Sequence, residues 1–127
     1  MPIAYAVDHT RRRLTLTTTD PVTFDDVRAL FDRQVADSAW RYATLHDLRA
    51  VTGAPATRDV DTMVRIVSER TRALGPHGPV AFVAKTEALY GMGRMYAVLS
   101  ERTSRTIDVF RSVQEAEAWL DGARSGT

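Results

Sequence analysis

Residues 40–59 read WRYATLHDLRAVTGAPATRD, and the rest of the chain is organised around them. The part from Trp40 to Leu48 is rich in aromatic and aliphatic residues and runs out through His46, Asp47, Leu48 and Arg49, which predicts a central strand. Thr52, Gly53, Ala54 and Pro55 form a loop by composition, and Thr57, ahead of Asp59 and Asp61, is placed to cap a helix. If Thr57 is that cap, Thr57→Ala costs about 0.5 to 2 kcal/mol. Strand, loop and helix start in this order put the loop where open α/β sheets place their sites.

Downstream, Val60, Met63, Val64, Val67, Thr71 and Leu74 recur at helical spacing, and Gly75 with Pro76 closes that helix. Residues 79–84, PVAFVA, are a short continuous apolar run, the pattern of a strand covered by helices. Thr86 opens a third helix reaching to about Arg102, and residues 106–111 read as a last strand. Ser112 and Glu115 then have capping-box spacing ahead of Ala116, Trp119 and Leu120.

Upstream, Ile3 to Val7 is apolar and Leu14 alternates with Thr15, Leu16 and Thr17, an antiparallel hairpin with Arg11, Arg12 and Arg13 at or just past a solvated tip. Asp20 and Pro21 break the second strand. Thr23 caps a first helix over residues 24–37, with Asp25 and Asp26 at the positive end of its dipole and Val27, Leu30, Phe31 and Val35 on its apolar side. The order ββαβαβαβα predicts an α/β single domain: a five-stranded mixed sheet, an N-terminal antiparallel hairpin followed by parallel βαβ units, with four helices. The domain is expected over residues 1–121, with a disordered tail at 122–127.

A length of 127 residues suits one domain, and 44% apolar with 26% charged residues is globular. No apolar run is long enough to span a bilayer and no secretory pattern opens the chain, so no membrane insertion is expected. The absence of cysteine removes disulfide and thiolate chemistry and suits the cytoplasm, the expected location. With a net charge of +1 and basic residues spread along the chain, nucleic acid is not an expected partner.

The residues that carry chemistry elsewhere do not assemble here. His9, His46 and His77 match no metal spacing, and the adjacent His46 and Asp47 point to opposite faces of a strand. Gly91, Met92, Gly93 and Arg94 lie inside a helical pattern and lack the spacing of phosphate loops. No catalytic residue, metal or cofactor is therefore expected, and the chain does not read as an enzyme.

The opening hairpin, Thr23 with Asp26, the run Leu45, His46, Asp47, Leu48, Arg49, the strand from Val80 to Ala84, and the ending Val109, Phe110, Arg111 followed by Glu115, Ala116, Trp119 and Leu120 together resemble the STAS-like superfamily. This is the superfamily of anti-sigma-factor antagonists and of the cytoplasmic domains of sulfate transporters, and the chain is most similar to its bacterial SpoIIAA-like branch. The resemblance covers nearly the whole chain. It implies a helix-packed sheet acting as a protein-interaction module. In the antagonists the loop after the central strand carries a phosphate-accepting serine, whose position falls on Thr57, with Pro55, Ala56 and Arg58 as neighbours. The hydroxyl is kept as threonine; the flanking Asp, Ser and Gly of the antagonists are not.

Two candidate surfaces follow. Asp47, Arg49, Thr57 and Arg58 form a candidate switch or partner loop. On the third helix, Tyr90, Met92, Gly93, Tyr96 and Ala97 form a candidate dimer or ligand face, because Gly91 and Gly93 each cost a helix about 1 kcal/mol and a close approach by another backbone accounts for them. The leading expectation is a non-catalytic, cytoplasmic protein-interaction or regulatory domain that forms a homodimer through this helix, with Gly93 in the seam. The alternatives are a small-molecule or lipid-binding module with a pocket between the third helix and the sheet, or an enzyme using Asp47, Arg49 and Thr57.

Overall fold

In the computed structural model, which describes residues 3–20, 22–53, 56–101 and 106–125, the alternation read from the sequence becomes β1 (Ile3–Asp8), β2 (Arg13–Thr18), α1 (Phe24–Ala36), β3 (Ala43–Asp47), α2 (Thr57–Leu74), β4 (Val80–Val83), α3 (Glu87–Ser100), β5 (Ile107–Phe110) and α4 (Val113–Ser125). Among the described residues these five strands make one sheet in sequence order. β1 is antiparallel to β2 and every later pair is parallel, so the expected mixed sheet with four helices is the observed one. No helix among the described residues is long and apolar enough to cross a membrane.

The strand order decides which face the helices cover. From β2 to β5 each strand is added on the same side of its predecessor, and right-handed crossovers then put every connecting helix on one face. That face carries Leu14, Leu16, Thr44, His46, Val80, Phe82 and Val109, aligned by the strand register. α1 packs there through Leu30 against Ile3 and Leu16, while α2 and α3 bring Val60, Leu89 and Tyr96 against Val80, Phe82 and Val109. α4, after β5, crosses the other face, where Ala116 and Leu120 bury Ala43, Leu45, Ala81 and Val83.

Local chemistry sets the ends of the elements. Thr23 and Asp26 form a capping box, the hydroxyl accepting from the Asp26 amide at 3.1 Å and the carboxylate from the Thr23 amide at 2.9 Å. α2 stops at Gly75, whose φ of 85° is open to glycine at no steric cost and whose N–H donates to the Thr71 carbonyl at 2.8 Å.

Several boundaries differ from the sequence reading. Trp40 precedes β3; its ring packs edge-on to Phe31 and His77, and its Nε1 donates to the Gly75 carbonyl at 2.9 Å, so the aromatic start of the stretch belongs to the helix layer. Arg13 is not at a solvated tip. It is the first residue of β2, 4% exposed, and pairs at 2.8 Å with Asp121 of α4, which crosses that side of the sheet. α4 itself continues beyond Asp121 to Ser125. Pro21, Ala54, Pro55, Arg102, and Gly126 with Thr127 of the expected tail lie outside the described residues.

Candidate functional site

Three helices on one face leave a space between them and the sheet. It measures about 740 Å³ and is walled by Leu16, Val27, Leu30, Val60, Phe82 and Leu89, with Met63 and Met92 reaching in from α2 and α3. Thr44 and Leu48 both line it, and four steps of about 3.3 Å along a strand make it roughly 13 Å long. The lining residues left exposed are Asp20, Val22 and Thr23 after β2 and Thr52 and Gly53 after β3. The opening therefore lies beyond the carboxyl ends of the parallel strands, the place where open α/β sheets take ligands.

One contact ties the two sides of that opening. The Asp20 carboxylate accepts from the Thr52 amide and from the Thr52 hydroxyl, both at 2.8 Å. These bonds favour the charged form and hold the Asp20 carboxyl below its ordinary pKa. Sequence reading took Asp20 only as a strand breaker.

Deeper in, the wall carries a few polar groups. His46 Nε2 and the Thr18 hydroxyl are 2.6 Å apart, with the imidazole tilted over Phe82. His77 is buried at the other end, its Nδ1 donating to the Gly78 carbonyl at 2.7 Å and its Nε2 3.2 Å from the Gln34 carboxamide oxygen. Thr44 is 1% exposed and its hydroxyl has no hydrogen-bond partner among the described residues. A buried hydroxyl without a partner is a cost that strand packing alone does not require. Thr44→Val, which swaps the hydroxyl for a methyl of the same shape, should stabilise the ligand-free protein by about 1 kcal/mol, a rise of about 4 °C in calorimetric Tm.

The two candidate surfaces fare differently. Asp47 and Arg49 do pair: the guanidinium donates through Nε at 3.0 Å and Nη2 at 2.8 Å, and the Arg49 amide adds a third bond at 3.0 Å. This pairing, led by the side-chain bond, lowers the Asp47 pKa and raises that of Arg49. Asp47 lies on the α4 side of the sheet, opposite in face to His46. Neither it nor Arg49 lines the cavity, and Thr57 and Arg58 are exposed on the first turn of α2.

Thr57 is not the helix cap. The N-cap residue is Ala56, and Asp59, three residues on, accepts the Ala56 amide at 3.2 Å; Thr57 sits one position inside, with no capping bond. Thr57→Ala should therefore leave the melting free energy within about 0.5 kcal/mol of wild type, whereas Asp59→Ala should lower it by about 1 kcal/mol in denaturant melts.

On α3, Met92, Gly93 and Tyr96 line the cavity, so this part of the proposed face looks into the chain. A Cβ on Gly93 would lie 2.7 Å from Val109 Cγ2, which places this glycine against β5 and not in a seam between two subunits. Tyr96 is buried against Phe82, Tyr90 is half-buried under the Arg111 guanidinium at 4.4 Å, and Ala97 is half-buried. No backbone makes the close approach expected at the glycines: Gly93 meets the Val109 side chain of the same chain, and Gly91 faces open space.

Among the described residues no three His, Cys, Asp or Glu side chains gather as a metal site. Neither a scan against protein-family models nor a search of curated proteins finds a match. Among solved structures the chain is similar to the crystal structure of a DUF3478-family protein with a SpoIIAA-like fold from Shewanella loihica PV-4, with a TM-score of 0.60, 17% sequence identity and 93% of each chain covered. At that identity the likeness is one of fold: this chain has a SpoIIAA-like fold.

Proposed function

We propose that this protein is a non-catalytic binding module that takes one small, elongated, mostly apolar molecule into the cavity between the sheet and α1, α2 and α3. The observation that carries the reading is the cavity itself, about 740 Å³ of apolar-walled space in a core that would ordinarily close. Its size is that of ligand pockets, and its apolar wall with a few polar groups is their usual make-up. An alkyl chain in it gains about 0.8 kcal/mol per buried methylene, and after the loss of ligand freedom this gives a dissociation constant on the order of micromolar.

The polar groups along the wall support a binding role over a catalytic one. Asp20 is engaged by Thr52, Asp59 by the Ala56 amide, His46 by Thr18 and His77 by Gly78. The absence of cysteine supports placing this module in the cytoplasm. Titration with N-phenyl-1-naphthylamine, a neutral dye that fluoresces in apolar surroundings, tests the reading. A saturable enhancement at one site, reversed by decanol, is expected; no saturable enhancement refutes it.

A regulatory or protein-interaction domain that self-associates is the second reading, supported by the SpoIIAA-like fold and by Val98, which leaves 64% of its surface exposed on α3. Sedimentation velocity over a concentration series separates the two. A dimer abolished by Val98→Asp supports association, and a monomer at every concentration removes it.

A further inference from the structure

We infer that the cavity selects chains ending in a hydrogen-bond-donating head that carries no negative charge, amines and alcohols in preference to fatty acids. This inference rests on the ligand-binding reading above and adds the class of ligand. Among the described residues lining the cavity, the carboxylate and guanidinium or ammonium side chains number two, and both are acids, Asp20 and Asp59. Asp20 stands exposed at the opening, and its bonds from Thr52 favour the charged form. The arginines on nearby elements do not offset them: Arg49 is bound to Asp47 by three hydrogen bonds, Arg58 is exposed on α2, and neither lines the cavity.

The helix starts around the opening are partly engaged by the chain itself. An acidic head would ordinarily be drawn to their free amides. Here the Asp26 amide donates to Thr23, the Leu89 amide to Thr86, and Asp59 takes the Ala56 amide. The first turns also carry Asp25, Asp26, Asp59 and Glu87 at the positive ends of the dipoles; Asp25 is paired with Arg28 and Glu87 with Arg111, which leaves Asp26 and Asp59 as the acids that count there. A carboxylate arriving at the opening meets like charge, whereas an ammonium or hydroxyl can donate to Asp20.

Competition against bound N-phenyl-1-naphthylamine with decylamine, decanol and decanoate, at about pH 8 where an ordinary imidazole is neutral and an alkylamine still cationic, tests this directly. Decylamine should displace the dye at a concentration at least about tenfold below decanoate, the product of two partly screened charge contacts, with decanol between them. Decanoate competing within that margin, or better than decylamine, overturns the inference while the dye still reports an occupied cavity. Failure of the dye to bind at all would instead remove the ligand-binding reading beneath it. In the double variant Asp20→Asn with Asp59→Asn, which keeps both acceptor oxygens and removes both charges, the gap between decylamine and decanoate should close. A gap that persists in the folded variant shows that these carboxylates do not set the preference.

Discussion

Gly93→Glu unfolds the protein, with a loss of more than about 3 kcal/mol in denaturant melts, and does not yield a folded monomer split from a dimer. The reason lies in the contact between α3 and β5. Val109 Cγ2 stands 2.7 Å from the place where the first side-chain carbon would go, and Val109 is itself buried, so the helix, the strand or the valine must shift to admit it. Glutamate adds a carboxylate beyond that carbon, aimed at an apolar core made by Val80, Phe82, Leu89, Tyr96 and Val109. Gly91, two residues earlier, is the control. Nothing lies within 4 Å of its Cβ position, so Gly91→Ala should gain about 1 kcal/mol from helix propensity alone. A Gly93→Glu protein that stays folded and loses only its association would return Gly93 to a subunit interface.

Met63→Trp with Met92→Trp abolishes uptake of apolar ligand, by about 100-fold or more in dissociation constant, without loss of the fold. Both methionines are half-buried and line the cavity from different helices, so two indoles have the cavity to enlarge into. Displacing about four methylenes of an alkyl chain removes roughly 3 kcal/mol of burial, which is the stated factor. Filling an apolar void also restores dispersion contacts, so the Tm of the double variant should equal or exceed that of wild type. Unchanged dye binding in this variant would place the dye elsewhere.

Element types were legible because their signals are local. The two-residue alternation of Leu14 and Leu16, the helical stripe of Val60, Met63, Val64 and Val67, and the Gly75 stop each need only a short window. The placing of three helices on one face follows from strand order, which no local window encodes. A hydroxyl before an apolar stripe fits the role of a cap, but the helix starts one residue earlier, which puts Thr57 inside it and leaves Asp59 to take the Ala56 amide.

The cavity was legible only in part. A pocket between the third helix and the sheet was among the alternatives, and Met92, Gly93 and Tyr96 do line it. Asp20, Gln34, Thr44 and His77 were missed. The signal that could have found two of them is polarity on a buried stripe: Gln34 continues the helical spacing of Val27, Leu30 and Phe31, and Thr44 sits between Ala43 and Leu45 in the central strand. Gly93 carried the signal of a close approach, but the approaching group is the Val109 side chain of the same chain and not another backbone.

The central claim, that an apolar ligand occupies the space between the sheet and α1, α2 and α3, is tested most directly by following backbone amides and side-chain methyls by NMR while decanol is added. The predicted result is saturable shifts concentrated at Leu16, Leu30, Thr44, Val60, Phe82 and Leu89. Shifts confined to the outer side of α3 around Val98 or to the loop at Arg58, or no shifts up to the solubility of decanol, would contradict it.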